Sequence, residues 1–461
     1  MADFVLGYFN DRRLQKKGAA VLDRLCARVT GTMRQLADSR AEMVAATRFF
    51  RNRKVTASEI VETAAARTAL AAAGRHVLLI EDTTEINYQG KAGRKRGLGR
   101  VGNGSDVGLF VHPALAVDAE DGTILGLAGA TLWRRQKTKA KDYQSQPIET
   151  KESHRWIATA QQARAALVDT PLVTVIADRE ADIYELFARL PEEGAHGLRT
   201  HLLVRCHYDR MLGEKGGEGP RLHEELAAWP EAGRIGFELE ARPGRPARSL
   251  TLAVRFGAVR LRKPAKSADP KDPGEVALNL VEVSEIDPPP GQQPIVWRLY
   301  TSHAVTSLEE AIAVVELYRR RWAIEQVFRT LKSQGLAIEE SFIADGEALE
   351  NLAAAALIAA IRVMQCVHAR GEAGAHIPAI RLFAQADMPI LKALVRKLEG
   401  KTQKQKNPHP PESLAWAAWV IARLGGWKGY AKERPPGPIT MHAGLERFDA
   451  IAQGFALAQQ S

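Results

Sequence analysis

Apolar residues recur at helical spacing near the start of the chain. Over residues 11–38, five of them fall on one face of a helix: Leu14, Val21, Leu22, Leu25 and Val29. A second helix is expected to begin at Thr56, because Thr56-Ala-Ser-Glu59 has the residue types of a capping box. The pattern therefore predicts an all-helical N-terminal domain over residues 1–70.

From His76 the pattern changes to short apolar runs, which are typical of buried strands. HVLLIED (76–82) and PLVTVIAD (171–178) each end in an acid, and the runs LFVHPALAVD and TILGLAGATLW between them form a hairpin around Gly122. Residues 148–168 and the segment ADIYELFARL read as helices. This β-β-β-α-β-α order predicts an α/β fold with a mixed sheet and flanking helices.

The second half of the chain divides into a β-rich part and a helical part. Residues 201–300 read mostly as strands, and one long helix is expected from Ser307 to Lys332. After Gly346 the sequence is Ala-rich and helical, with breaks at NPHPP (407–411) and PPGP (435–438). We therefore expect a central domain over 71–345, with a β-rich insertion at about 201–300, and a helical C-terminal domain over 346–461.

Composition excludes several protein classes. Hydrophobic residues make up 45% of the 461 residues and charged residues 26%, which is typical of a globular protein with a sizeable core. The apolar run Asn351 to Ile361 is interrupted by Arg362 and reads as a buried helix, so we expect no membrane association. Three scattered cysteines and an N-terminus unlike a secretory signal favour a reducing cytoplasm.

Charge favours a polyanionic partner. The formal net charge is +10, with 64 Lys and Arg against 54 acids. Basic residues are clustered near the N-terminus and also at Lys91–Arg100, Arg134–Lys141, Arg319–Arg321 and Arg396–Lys406. One such cluster is usually a solvated loop, but several in one chain favour nucleic acid.

Two apparent motifs carry no chemistry. Gly400-Lys401-Thr402 resembles the end of a phosphate loop, but it lacks the earlier glycine and a preceding strand. His201, Cys206, His207 and His223 have spacings that match no usual zinc site, so we interpret them as ordinary residues of a β-rich segment.

Asp82 and Asp178 are the first candidates for catalysis. Each closes an apolar strand, where burial opposes ionisation unless a cation or hydrogen-bond donors balance the charge. One such acid is usually a structural cap. Two of them on adjacent strands of a basic protein favour a divalent-metal site, since hard cations prefer carboxylate oxygens.

The segment YRRRWAIEQVFRTLK supplies a third group of candidates. Tyr318, Arg321, Glu325 and Lys332 fall within about 60° of one another on a helix, while the apolar residues between them indicate that the helix is packed. The alternative is a solvated face with an Arg321–Glu325 ion pair. An acid among cations that reach phosphates is what a metal-dependent phosphodiesterase requires.

Three segments together resemble a known family. IEDTTEINY (80–88), DREADIYELF (178–187) and the Y-(2)-R-(3)-E-(6)-K pattern at 318–332 are similar to bacterial DDE transposases of the insertion-sequence-four group, which includes the transposon-five transposase. ATRFFRNRKVTASEI (46–60) resembles the family's N-terminal DNA-binding region, and SLAWAAWVIARLGGW (413–427) resembles its dimerisation region.

The resemblance implies roles for individual residues. Asp82, Asp178 and Glu325 would be the catalytic, metal-binding triad of a ribonuclease-H-like core. Tyr318, Arg321 and Lys332 would contact transposon-end DNA, and Trp297 would stack on a flipped base, although Trp297 also suits a core position in a strand. The basic N-terminal domain would read the terminal inverted repeat, and its candidate contacts are Arg12, Arg13, Lys17, Arg48, Arg51 and Lys54.

The resemblance also implies a reaction and its partners. Two Mg²⁺ ions per site, replaceable by Mn²⁺, would support end cleavage through a DNA hairpin and joining of the 3'-hydroxyl to target DNA. We expect double-stranded transposon-end and target DNA as partners, a homodimer in the synaptic complex, and a place at the bacterial nucleoid. The alternatives are a catalytically idle, transposase-derived DNA-binding inhibitor and a stand-alone ribonuclease-H-like nuclease.

Overall fold

The structure is a computed structural model of the 461-residue chain. It describes residues 5–28, 30, 32–135, 146–194, 197–213, 219–239, 247–265, 269–333, 335–430 and 433–458.

Four helices form the N-terminal part: α1 (Arg12–Arg28), α2 (Met33–Leu36), α3 (Arg40–Phe50) and α4 (Ala57–Ala72). The prediction of one helix over 11–38 was wrong, because α1 ends at Arg28 and the hydroxyls of Thr30 and Thr32 both donate to Gln35 Oε1. Val29, expected on the apolar face, lies outside the described residues. Thr56 caps α4 as predicted, but the Glu59 side chain accepts from the backbone N–H of Phe9.

One sheet of 12 strands forms the centre of the described structure. The first six strands are β1 (His76–Glu81), β2 (Thr84–Asn87), β3 (Gly99–Val101), β4 (Asp106–Asp118), β5 (Ile124–Trp133) and β6 (Leu172–Ala177). The others are β7 (Glu192–Gly194), β8 (Gly197–Arg205), β9 (Gly233–Leu239), β10 (Arg248–Arg262), β11 (Glu275–Glu285) and β12 (Val296–Thr301). Their order is β2-β4-β1-β6-β8-β12-β11-β10-β9, with β3 and β5 on β4 and β7 on β8.

The sheet is mixed, as predicted. β1, β6 and β8 are parallel neighbours, and β4 runs antiparallel to β1 and forms the expected hairpin with β5. The β4–β5 turn contains Gly122 at φ 76°, which a glycine adopts without strain. Helices α5 (Arg155–Ala166) and α6 (Tyr184–Arg189) lie before and after β6 in the chain. This arrangement is the ribonuclease-H-like core that was expected.

The predicted β-rich insertion continues the same sheet. After β8 and the short helix α7 (Leu222–Ala228), strands β9 to β12 pair antiparallel in sequence order, and β12 pairs with β8. The end of β12 therefore returns the chain to the half of the sheet that contains β1, β6 and β8.

The predicted long helix over 307–332 is two helices, α8 (Leu308–Arg319) and α9 (Trp322–Lys332). Ser307 forms a capping box with Glu310 at the start of α8. Between the helices, the N–H groups of Arg321 and Ala323 donate to the carbonyls three residues earlier, which makes a tight turn.

The C-terminal part is helical, with α10 (Gly346–His368), α11 (Met388–Leu398), α12 (Leu414–Leu424) and α13 (Pro438–Ala458). The predicted break at 407–411 falls between α11 and α12, and the one at 435–438 ends at Pro438, the first residue of α13. By length and composition α10 could cross a membrane, but 89% of its most apolar 18-residue window is buried inside the protein. It is therefore the core helix that the sequence predicted around Asn351 to Ile361.

Candidate active site

Asp82 and Asp178 lie at the same edge of the sheet. β1 and β6 are parallel, with Ile80 opposite Ile176, so the residues that follow them emerge side by side. Asp82 Oδ1 accepts from the N–H of Thr83 at 2.8 Å. Asp178 caps a 3₁₀ turn over Arg179–Ala181 and accepts from the N–H of Glu180 at 2.8 Å.

The charge around Asp82 is incompletely balanced. Burial raises the pKa of Asp82 to about 6, and the nearby charges of Asp178 and Glu325 add to the rise, while Arg321 and the N–H of Thr83 oppose it. A carboxyl group with this pKa is largely ionised at pH 7.5. Its environment would favour an additional cation.

Arg321 joins Asp82 to Glu325. Its Nη1 donates to Asp82 Oδ2 at 3.0 Å, and its Nη2 donates to Glu325 Oε1 at 2.5 Å. Burial lowers the pKa of Arg321, but the charges of Tyr318, Asp82 and Glu325 outweigh this and raise it overall. Arg321 thus bridges Asp82 and Glu325, and Asp178 lies close enough to Asp82 for its charge to raise the pKa of Asp82. We call these four residues the charged cluster.

The residues at this edge suit a divalent cation by their chemistry. Carboxylate oxygens are the ligands that hard cations prefer, and burial together with the charges of Asp178 and Glu325 raises the pKa of Asp82, which a bound cation would oppose. Within the described ranges, however, no three His, Cys, Asp or Glu side chains are close enough together to hold one ion. The guanidinium of Arg321 instead forms an ion pair with both Asp82 and Glu325.

Tyr318 and Trp297 lie beside each other near this cluster. Their ring centroids are 5.6 Å apart, and Trp297 also makes an edge contact with Phe237 at 5.6 Å. Trp297 is half-buried on β12, whereas Tyr318 is only 5% exposed at the end of α8. Lys332 lies at the far end of α9, where its Nζ is 3.7 Å from Glu339 Oε1.

The predicted N-terminal contacts lie near the start of α1 and at or just after the end of α3. Arg12, Arg13, Arg48, Arg51 and Lys54 are exposed, and Lys17 is half-buried on α1. Asp11 Oδ2 lies 3.5 Å from Arg13 and 4.0 Å from Lys54, so it holds the start of α1 beside the loop after α3. The two basic groups, far apart in sequence, are therefore neighbours.

Other basic clusters have partners within the chain. Lys95 Nζ donates to the carbonyls of Ser341 and Ile343, and Lys91 Nζ forms an ion pair with Glu340. This part of the Lys91–Arg100 cluster holds the segment after α9. Of the Arg134–Lys141 cluster, only Arg134 and Arg135 belong to the described residues.

Sequence reasoning missed three residues around the site. Arg205 on β8 lies near Tyr318 and Asp178, and burial lowers its pKa. Arg155 at the start of α5 donates to Thr83 and to Glu180. Asp182 is buried and accepts from the N–H groups of His207 and Tyr208 and from the Arg210 side chain. Only Asp182 had a sequence signal, since it belongs to the DREADIYELF segment.

Two family models match the chain. A model described as "Transposase DDE domain" matches residues 82–362, which begin at Asp82 and include Asp178 and Glu325. A model described as "Transposase DNA-binding" matches residues 7–55, which include all six predicted N-terminal contacts.

Proposed function

This chain belongs to the family of transposases with a DDE domain, and on that premise we propose that it is a cut-and-paste DNA transposase. It would bind the terminal inverted repeats of its element, cleave the ends and join them to target DNA. The observation that carries the proposal is the bridge that Arg321 makes between Asp82 and Glu325, with Asp178 beside Asp82 at the same edge of the sheet.

The group within the family is also part of the proposal. The Y-(2)-R-(3)-E-(6)-K spacing at Tyr318, Arg321, Glu325 and Lys332, together with the β-rich insertion before it, supports the insertion-sequence-four group and similarity to the transposon-five transposase.

A transposase DDE domain generally uses divalent metal ions. Here Asp82, Asp178 and Glu325 would hold two Mg²⁺ ions, or Mn²⁺ in their place, which when bound activate the nucleophile and stabilise the leaving oxygen. Arg321 already neutralises part of the charge of Asp82 and Glu325, and it is placed to contact a DNA phosphate when it leaves them.

The proposed reaction is a series of phosphoryl transfers that differ only in the nucleophile. Water first breaks the bond between phosphorus and the 3' oxygen of the transposon end, and that oxygen leaves as a hydroxyl. The hydroxyl attacks the opposite strand to form a hairpin and releases the flanking DNA. Water reopens the hairpin, and the same hydroxyl then attacks target DNA. Each step exchanges one phosphodiester oxygen for another, so one site suffices.

DNA is the partner that the N-terminal family match supports. We further propose that two copies act together in the synaptic complex and that the protein works at the nucleoid of a bacterial cytoplasm. The resemblance of residues 413–427, which include α12, to a dimerisation region supports the first of these proposals.

Substitution of the three carboxylates tests the catalytic proposal. Asp82→Ala, Asp178→Ala and Glu325→Ala should each abolish end nicking, while affinity for the end stays within about twofold, because affinity comes mainly from cationic contacts to phosphate. Asp121→Ala, in the β4–β5 turn at the opposite edge of the sheet, is the matched control and should cut normally.

A gel assay with labelled ends and target DNA separates the remaining functions. Joined products identify a transposase, cleavage without joining identifies a nuclease, and end binding without cleavage by the wild-type protein identifies an idle inhibitor. Normal nicking by any one of the three alanine variants would remove that residue from the triad.

A further inference from the structure

The catalytic aspartates lie beyond the part of the sheet that holds their strands together. Pairing of β1 with β6 ends at Ile80 and Ile176, two residues before Asp82 and Asp178. Backbone pairing therefore does not fix the distance between the two carboxylates. Ligands of a hard cation must be placed to within a few tenths of an ångström, so another contact has to join the two loops.

Arg155 makes that contact. Its Nε donates to Thr83 Oγ1 at 3.0 Å, and its Nη2 donates to Glu180 Oε2 at 2.9 Å. Thr83 and Glu180 are the residues whose N–H groups hold Asp82 and Asp178, at 2.8 Å in both cases. One guanidinium thus joins the two loops through the residues that orient the two carboxylates.

The guanidinium itself is firmly held. Nη1 donates to the carbonyl of Glu152 at 3.0 Å, and the group lies 5.4 Å from the ring centroids of both Trp133 and Trp156. The Arg155 side chain is 13% exposed, whereas that of Glu180 is 65% exposed, so water competes little for the bond to Thr83 but reaches the Glu180 carboxylate. His112 Nδ1 lies 2.9 Å from the hydroxyl of Thr83 and holds it from the other side.

We propose that Arg155 is a positioning residue that sets the separation of Asp82 and Asp178 for divalent-cation binding. This inference rests on the proposed function, since it assumes that the two carboxylates share a cation. Arg155 would touch neither the cation nor the DNA. It would act by holding the β1 and β6 loops at one spacing.

A lysine cannot replace this arginine. Three different nitrogens of the planar guanidinium reach three separate acceptors, whereas an ammonium is a single point on a flexible chain. Arg155→Lys keeps the positive charge but loses the planar group that donates to three acceptors at once. Residues that orient metal ligands typically change metal affinity by about 10- to 100-fold when they are replaced.

The experiment measures Mn²⁺ binding by electron paramagnetic resonance to the full-length protein on a pre-cleaved terminal-repeat duplex. Arg155→Lys should weaken Mn²⁺ binding by at least about tenfold, with unchanged affinity for the duplex. Thr83→Val should have a similar effect. The double variant should bind Mn²⁺ as tightly as the single variant with the lower affinity, because both substitutions break the same hydrogen bond.

Arg164→Lys is the matched control. Arg164 is also a buried arginine of α5, but it bonds to Thr200 and to the carbonyl of Leu167, about 13 Å along the helix from Arg155. Its substitution should lower the melting temperature and leave Mn²⁺ affinity unchanged. If it weakens Mn²⁺ binding as much as Arg155→Lys does, the role of Arg155 is merely structural and the inference is overturned.

Asp82→Asn separates the two proposals. If Asp82→Asn does not weaken Mn²⁺ binding, the proposed metal site is wrong and this inference falls with it. If Asp82→Asn weakens binding and Arg155→Lys does not, only the positioning role of Arg155 is overturned.

Discussion

Three histidines lie towards the edge of the sheet opposite the carboxylates. The rings of His201 and His303 stack with centroids 3.8 Å apart, and the hydroxyl of Thr174 lies within 2.9 Å of ring nitrogens of both His76 and His303. Burial, reinforced by the neighbouring histidines, lowers the pKa of His76 to about 4 and that of His303 to about 3. The fold therefore holds His76 and His303 in the neutral form.

This arrangement predicts a loss of stability in weak acid. The folded-state pKa of His303 lies below its unfolded value of about 6.5, so stability is complete above that pH and falls as the pH drops towards 3. When the pH falls from 7.5 to 5.5, the unfolding free energy of the wild type should drop by about 1.4 kcal/mol more than that of His303→Gln. Urea denaturation at the two pH values measures both changes. His376→Gln, at an exposed position, is the control; equal losses in wild type and His303→Gln would contradict the prediction.

Residues near in sequence were predicted better than residues brought together by folding. Asp82 and Asp178 could be found because each follows an apolar run that forms a strand, β1 and β6, and these two strands pair in parallel. The contacts of Arg155 with Thr83 and Glu180 span 72 and 25 residues, and no local pattern encodes them.

At the scale of elements, the division between α8 and α9 shows the same limit. Apolar periodicity continues through residues 308–332, so the sequence predicts one helix. The structure breaks it where Arg320 donates to the carbonyls of Asp118 and Glu120 and where Arg321 reaches Asp82. Long-range hydrogen bonds thus outweigh the local preference for one continuous helix and direct the Arg321 side chain towards Asp82.

The aromatic contacts among β9, β12 and α8 lead to a prediction about hairpin formation. We propose that Trp297 stacks on a base extruded near the cleavage point, which would be worth roughly 1–3 kcal/mol against an unstacking cost of a few kcal/mol. Trp297→Ala should then leave first-strand nicking largely intact and reduce hairpin formation. An abasic nucleotide at the extruded position should partly restore hairpin formation.

Phe237→Ala is the matched control, because Phe237 packs against the same indole ring from β9. It should lower the melting temperature without changing the ratio of hairpin to nicked product. If Trp297→Ala depresses every step equally and an abasic site gives no rescue, Trp297 is only a packing residue of β12.

At the scale of the whole molecule, the N-terminal helices are part of the main core. Asn351 on α10 donates to the carbonyls of Phe50 and Val55, and Arg362 on the same helix donates to Cys26 on α1. Deletion of residues 1–70 would uncover α10 and remove α4 from its place against β5. The role of this part in DNA recognition therefore has to be tested by changing surface charge.

The paired basic groups on the N-terminal surface predict how end binding depends on salt. Because Asp11 holds Arg13 beside Lys54, both groups should contact the same DNA segment. Replacing Arg12, Arg13 and Lys17 by glutamine should weaken binding and, if all three contact phosphate, reduce the slope of log K against log salt concentration by about 2.7. Replacing Arg48, Arg51 and Lys54 should act similarly.

A control with the same charge loss replaces three exposed lysines after α11, namely Lys401, Lys404 and Lys406. Fluorescence anisotropy with terminal-repeat and random duplexes measures both effects. If the N-terminal residues recognise the terminal repeat, their substitution should reduce affinity for the terminal repeat more than affinity for random DNA, and more than the control substitutions do. Equal losses of affinity on both duplexes would place sequence recognition elsewhere in the protein.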